Sequence, residues 1–130
     1  MNDRTSGKAL MIMAHGSRSA TANAEFLALV DKLRPMITGY ESVVGVFLEL
    51  GTPSLADAVA QQNACSITTF DVYPLFFNCG KHVMRDIPEQ IRNIVSSTKG
   101  LDIQLLQYFG AGPSLVNAVF QDVSEQLARR

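Results

Sequence analysis

Four times along the chain an unbroken apolar run gives way to a segment whose apolar residues recur at helical spacing. ALMIMA at 9–14 is the first run; behind it Phe26, Leu29, Val30 and Leu33 share one helical face, and Pro35 marks the helix end. SVVGVFLEL at 42–50 predicts the second strand. Thr52-Pro53 then predicts a helix start, with Thr52 as N-cap and Pro53 at the first helical position. SITTFDVYPLFF at 66–77 holds the third strand, ending near Pro74. Asp86 and Glu89 fit a capping box ahead of the stripe Ile87, Ile91, Ile94 and Val95, so residues 75–85 read as a loop. DIQLLQYF at 102–109 is the fourth strand, and Pro113 opens a last helix striped by Val116, Val119, Phe120, Val123 and Leu127.

Strands that are apolar throughout, rather than at alternate positions, belong to a sheet covered on both faces. The expected fold is therefore one α/β domain over 1–130, doubly wound, with a four-stranded parallel sheet and helices on both sides. The connections are short, and no linker, low-complexity segment or internal repeat interrupts the pattern.

Composition narrows the function classes. Hydrophobic residues are 47% of the 130 and charged ones 18%, which rules out a disordered chain. A net charge of −1 lacks the basic excess of a nucleic-acid binder. No apolar run approaches the roughly 18 residues of a membrane helix. The polar start MNDRTSGK does not resemble an export signal, and with Cys65 and Cys79 it suggests reduced thiols in the cytoplasm.

The chain has only two histidines, and each follows an apolar run: His15 in LMIMAHGSR, His82 in GKHVMRDIP. In a parallel sheet all strands point one way, and ligands bind beyond their carboxyl ends. His15 after the first strand, Glu49 at the end of the second and His82 in the loop after the third thus share one rim. A histidine at a strand end often only bonds a carbonyl, but two of them with a carboxylate form a candidate site. Neutral imidazole and carboxylate suit borderline divalent metals such as cobalt, nickel, iron and zinc. Three such ligands are too few for a closed structural zinc site and enough for a transient one. Cys65 lies at the opposite sheet edge, roughly 25 Å away at about 3.3 Å per residue. A four-ligand Cys/His cage is therefore not expected, and Cys79 reads first as a small apolar filler. Arg18, Lys81 and Arg85 add positive charge to the rim, which suits an anionic ligand. HGSRS lacks the G-x-S-x-G elbow, so Ser17 is read as a turn or cap residue.

LMIMAHGSR, VFLELGTPSL, PLFFNCGKHVMRDIP and FGAGPSL, in that order and spacing, resemble the class II chelatases. The match is to the short form of the sirohydrochlorin cobaltochelatase and ferrochelatase family, from about residue 9 to residue 120. The resemblance implies insertion of a divalent metal into sirohydrochlorin on the way to cobalamin or sirohaem. His15, His82 and Glu49 would then be the catalytic and metal-binding residues, with Arg18, Lys81 and Arg85 on the substrate's carboxylates. It implies no organic cofactor; cobalt, iron or nickel is a substrate. Asn78-Cys79 and the neighbourhood of Tyr108 depart from the family pattern, at positions that bear on metal preference and substrate seating. Longer members carry two such domains facing across a cleft, so this single domain implies a homodimer. The alternatives are a tetrapyrrole- or metal-binding carrier without turnover, and a phosphohistidine enzyme using His15 with Arg18.

Overall fold

The computed structural model describes residues 7–130; the expectation about the polar N-terminal stretch falls largely outside them. Four strands form one sheet: β1 Lys8–Ala14, β2 Ser42–Phe47, β3 Thr69–Pro74 and β4 Asp102–Leu105. They are all parallel, in the order β2-β1-β3-β4. The helices are α1 Ala20–Leu33, α2 Leu55–Asn63, α3 Lys81–Ser97 and α4 Ser114–Ala128.

The unbroken apolar run of β1 is explained by its central place. Ala9, Met11 and Met13 point into a core shared with Leu55, Ala58 and Val59 of α2 and Ile87 of α3. Leu10 and Ile12 point the other way, to Val30 of α1 and Val43. One strand thus feeds two hydrophobic layers, as its alternating side chains require. Pro35 does what its fixed geometry predicts: α1 stops at Leu33 and a 3₁₀ turn follows at Arg34–Met36.

Four expected boundaries move. The second helix begins at Leu55, with Ser54 rather than Thr52 as N-cap; the Ser54 hydroxyl accepts from Asp57 N–H at 3.1 Å. Pro53 cannot be helical because its carbonyl accepts from Phe47 N–H and so backs the end of β2. The third helix begins at Lys81, five residues before Asp86, and Pro88 lies inside it. The apolar stripe extends upstream to Val83, which packs on the same core as Ile87, Ile91 and Ile94. That burial outweighs the local capping pattern. Strands β2 and β4 are also shorter than their apolar runs, ending at Phe47 and Leu105.

Asp71 is the buried charged residue of the described core, at 6% exposure. The Tyr40 hydroxyl donates to it at 2.6 Å, and Lys8 Nζ lies 3.2 Å from it. Burial first, then the hydrogen bond to Asp71 and its charge, push the Tyr40 hydroxyl up to about 12. Tyr40→Phe leaves a buried carboxylate short of a donor and should cost about 1.5–3 kcal/mol in urea unfolding. The Tyr40 contribution is present in full below pH 10 and is lost as pH rises toward 12, because the raised hydroxyl favours the protonated, folded form. Phe at this position should remove that part of the alkaline fall.

Candidate functional site

The strand order changes direction at β1: the chain moves outward to β2 on one side and then crosses to β3 on the other. With α1 on one face and α2 and α3 on the other, a crevice opens beyond the carboxyl ends of β1 and β3. His15 sits there. Its ring leans on the buried Phe76, from the segment after β3, with centroids 5.7 Å apart and planes tilted by 51°.

Backbone pairing continues past β1 and β2 to hold the second partner. Leu48 N–H donates to Ala14 C=O at 2.9 Å, and Glu49 N–H donates to His15 C=O at 3.2 Å. Consequently His15 Nδ1 and Glu49 Oε2 stand 3.9 Å apart, with both side chains more than half exposed at 53% and 58%. That distance is beyond hydrogen-bond range. The pair is open to solvent and ready for a ligand between or above it.

Two further features fix this approach. Gly16 has φ +100°, and a Cβ there would lie 1.6 Å from the Glu49 carbonyl oxygen. Only glycine permits the loops to come this close. Asn23, in the first turns of α1, spends its whole amide on the same loops. Its Oδ1 accepts from Ser17 N–H at 3.0 Å, and its Nδ2 donates to Ser17 C=O at 2.8 Å and Leu50 C=O at 2.9 Å. Leu50 itself is held at φ +58°, with its side chain 51% exposed beside Glu49. For a leucine this is an uncommon conformation, and it is held by the Asn23 bond.

His82 is not in a loop. It occupies the first turn of α3, exposed, between Lys81 and Val83. The structure therefore brings together His15 and Glu49, while His82 approaches the same sheet edge on a separate element. Among the described residues no group of three His, Cys, Asp or Glu side chains is placed to hold a metal ion. Lys81 and Arg85 line a shallow depression with Cys79 and Met84. Together with Arg18 they join no ion pair among the described residues, so Arg85 is not consumed by Asp86 or Glu89. Cys79 packs against the core, and burial pushes its thiol up, away from the thiolate that binds metal. Its part as an apolar filler agrees with that. Ser17 likewise serves the turn: its hydroxyl accepts from Ser19 N–H at 3.0 Å.

Sequence reasoning missed the apolar side of the rim. Phe77 is 70% exposed and tilts against Phe109, Met84 is 56% exposed, and Leu50 completes the set. Gly110 lets the segment after β4 close on Phe77, since a Cβ there would meet the Phe77 carbonyl at 1.7 Å. A flat apolar ligand with an anionic periphery would find both kinds of surface here.

Comparison with known proteins agrees with this fold. A family model described as CbiX matches residues 9–126. A sirohydrochlorin cobaltochelatase from Sulfurisphaera tokodaii is 26% identical over 118 residues, covering 91% of this chain and 92% of the relative. A sirohydrochlorin ferrochelatase from Bacillus subtilis is 27% identical over 121 residues, 91% of this chain but only 45% of the relative. Among solved structures, a CbiX protein of cobalamin biosynthesis from Marinobacter aquaeolei superposes with a TM-score of 0.84 at 29% identity, covering 95% of this chain and 99% of that one.

Proposed function

Since the chain belongs to the CbiX family, we propose that it inserts a divalent metal, cobalt or iron, into sirohydrochlorin. It is a chelatase; the metal enters as a substrate, and the chemistry needs no organic cofactor. The observation that carries the assignment of residues is the exposed His15–Glu49 pair at the crevice between β1 and β3.

Metallation must strip two pyrrole N–H protons and bring a partly dehydrated cation to the ring. Imidazole can bind the metal or accept a proton near neutral pH. No hydrogen bond engages the Nε2 of His15 among the described residues. That nitrogen is the one we assign to metal or ring proton, with the Glu49 carboxylate offsetting the positive charge that either event creates. His82, on the first turn of α3, is the second base or ligand and acts once the macrocycle spans the rim. Leu50, Phe77 and Met84 face the macrocycle, while Arg18, Lys81 and Arg85 take its carboxylates.

A single wall suits a flat macrocycle poorly. The chain spans less than half of the Bacillus relative, and we assign the second wall to another copy of the chain in a homodimer. Among the described residues no helix is long and apolar enough to cross a membrane. Both cysteines are free thiols, as a reducing compartment keeps them, and we place the protein in the cytoplasm.

Exposed cations should govern capture. A contact of this kind is worth at most about 1 kcal/mol, a factor of roughly five. Lys81→Ala or Arg85→Ala should raise KM up to about fivefold and leave kcat largely intact. Added salt should weaken the wild type more than the double variant, as steady-state kinetics across a salt series would show. A fall in kcat at constant KM would place these cations in the chemical step instead.

Anaerobic incubation of sirohydrochlorin with cobalt, iron or nickel, followed by absorbance, tests the activity itself. The protein should accelerate loss of the metal-free spectrum with at least one of them; no acceleration with any would refute the proposal.

A further inference from the structure

Glu49 sits in a stretch, residues 48–53, that is neither strand nor helix, and its side chain is 58% exposed. A reacting group on such a segment keeps its place only if other residues hold the backbone. The N–H groups of Leu48 and Glu49 bond the carbonyls of Ala14 and His15, at 2.9 and 3.2 Å. The carbonyls on either side of Glu49 are taken by side chains from two different helices. Asn23 of α1 donates to Leu50 C=O at 2.9 Å, and Gln90 of α3 donates to Leu48 C=O at 3.3 Å.

Each donor also ties the Glu49 segment to an element that bears a histidine. Asn23 closes on both backbone groups of Ser17, in the loop that begins with His15. Its amide can face only one way there, because Oδ1 meets an N–H and Nδ2 meets two carbonyls. Gln90 lies on the helix that carries His82, about 12 Å further along at roughly 1.5 Å per residue.

Satisfying polar groups does not by itself account for the pair. Leu50 is 51% exposed, so water can serve its carbonyl. The chain instead holds Leu50 at φ +58°, a conformation that persists for leucine only where the surroundings impose it. The carboxylate between the two braced carbonyls makes no side-chain hydrogen bond among the described residues, so the backbone is fixed and the reacting group is left free.

We propose that Asn23 and Gln90 are positioning residues for metal insertion, which together fix the Glu49 carboxylate relative to His15 and to the helix of His82. This rests on the chelatase role proposed above and adds the two residues through which the fold sets that geometry. Neither side chain needs to touch metal or macrocycle, and both act through the Glu49 backbone.

Gln90→Met is the cleaner test, because it keeps the length of the side chain and deletes only the donor. Loss of one such bond should lower kcat roughly fivefold and leave KM unchanged. In a Glu49→Gln background the same substitution should change kcat less than about twofold, since the residue acts through Glu49. Asn23→Ala removes three bonds and should lower kcat at least about tenfold. Hydrogen exchange of the Glu49 amide, followed by NMR without substrate, gives a readout separate from turnover. It should quicken at least about fivefold in both variants while amides within β1 keep their wild-type rates. Wild-type exchange at Glu49 in Gln90→Met would overturn the brace, and faster exchange with undiminished kcat would overturn its role in positioning. A Gln90→Met loss that persists in full beside Glu49→Gln would also overturn it, because the residue would then act elsewhere. Should Asn23→Ala fail to fold, Gln90→Met decides alone. A wild type that inserts no metal would overturn the chelatase reading, while the exchange rates would still show whether the two side chains hold the Glu49 backbone.

Discussion

His15→Ala should slow metal insertion at least about a hundredfold while the protein stays folded. The expected loss is that of a ligand or proton acceptor at the reacting centre. The fold should survive because the ring is more than half exposed and contributes one aromatic contact, to Phe76, rather than core packing. His82→Ala should cause a loss of the same order, since the first turn of α3 gives that ring no buried contact either. Glu49→Gln should do milder damage: the amide oxygen still coordinates weakly but carries no charge and takes no proton. Initial rates on purified variants, with circular dichroism to verify folding, check all three. Near-normal turnover in either histidine variant would remove that residue from the site.

Gly16→Ala should be severe through a different physical route. The new methyl would overlap the Glu49 carbonyl, 1.6 Å away, at a backbone angle that side chains rarely adopt. Steric crowding of a packed site costs about 1–3 kcal/mol, and the unfavourable φ about 1–3 more. Urea unfolding should therefore show a loss of about 2–6 kcal/mol. The fraction that folds should be nearly inactive, because relieving the clash means moving His15 away from Glu49. An unchanged unfolding midpoint with full activity would mean that the two loops need not approach as closely as they do here.

The sheet was legible in the sequence because β1, β2 and β3 are largely buried and so appear as apolar runs, whereas the edge strand β4 is short and mostly exposed. Element ends were harder, for reasons that particular residues make plain. Leu48 is buried and prolongs the apolar run of β2, yet the chain has already turned so that Pro53 can bond Phe47. Asp86, Pro88 and Glu89 imitate a helix start, but Val83 carries the buried stripe of α3 upstream to Lys81.

The site divides in the same way. His15 and Glu49 could be placed on one rim because parallel topology carries both there. Asn23 could not: in sequence it is one polar residue in a helix, and its three hydrogen bonds exist only once the loops after β1 and β2 are neighbours. Leu50 reads as a continuation of the second apolar strand, and only the early end of β2 turns it into an edge of the crevice; Phe76 and Phe77 fall in the expected loop after Pro74, where the sequence does not say which ring is buried and which exposed. The stripe of α4 was visible in sequence, whereas its exposure was not, because periodicity predicts an apolar face without saying what covers it.

Counting product per chain tests the central claim most directly. Purified protein is given a large excess of sirohydrochlorin and of cobalt or iron without oxygen, and metallated product is separated from protein and quantified over time. A chelatase acting at His15 and Glu49 should release many product molecules per chain, at a rate proportional to protein and abolished by His15→Ala. Metallated tetrapyrrole that stops near one equivalent and stays bound to the protein would mark a carrier and contradict the assignment.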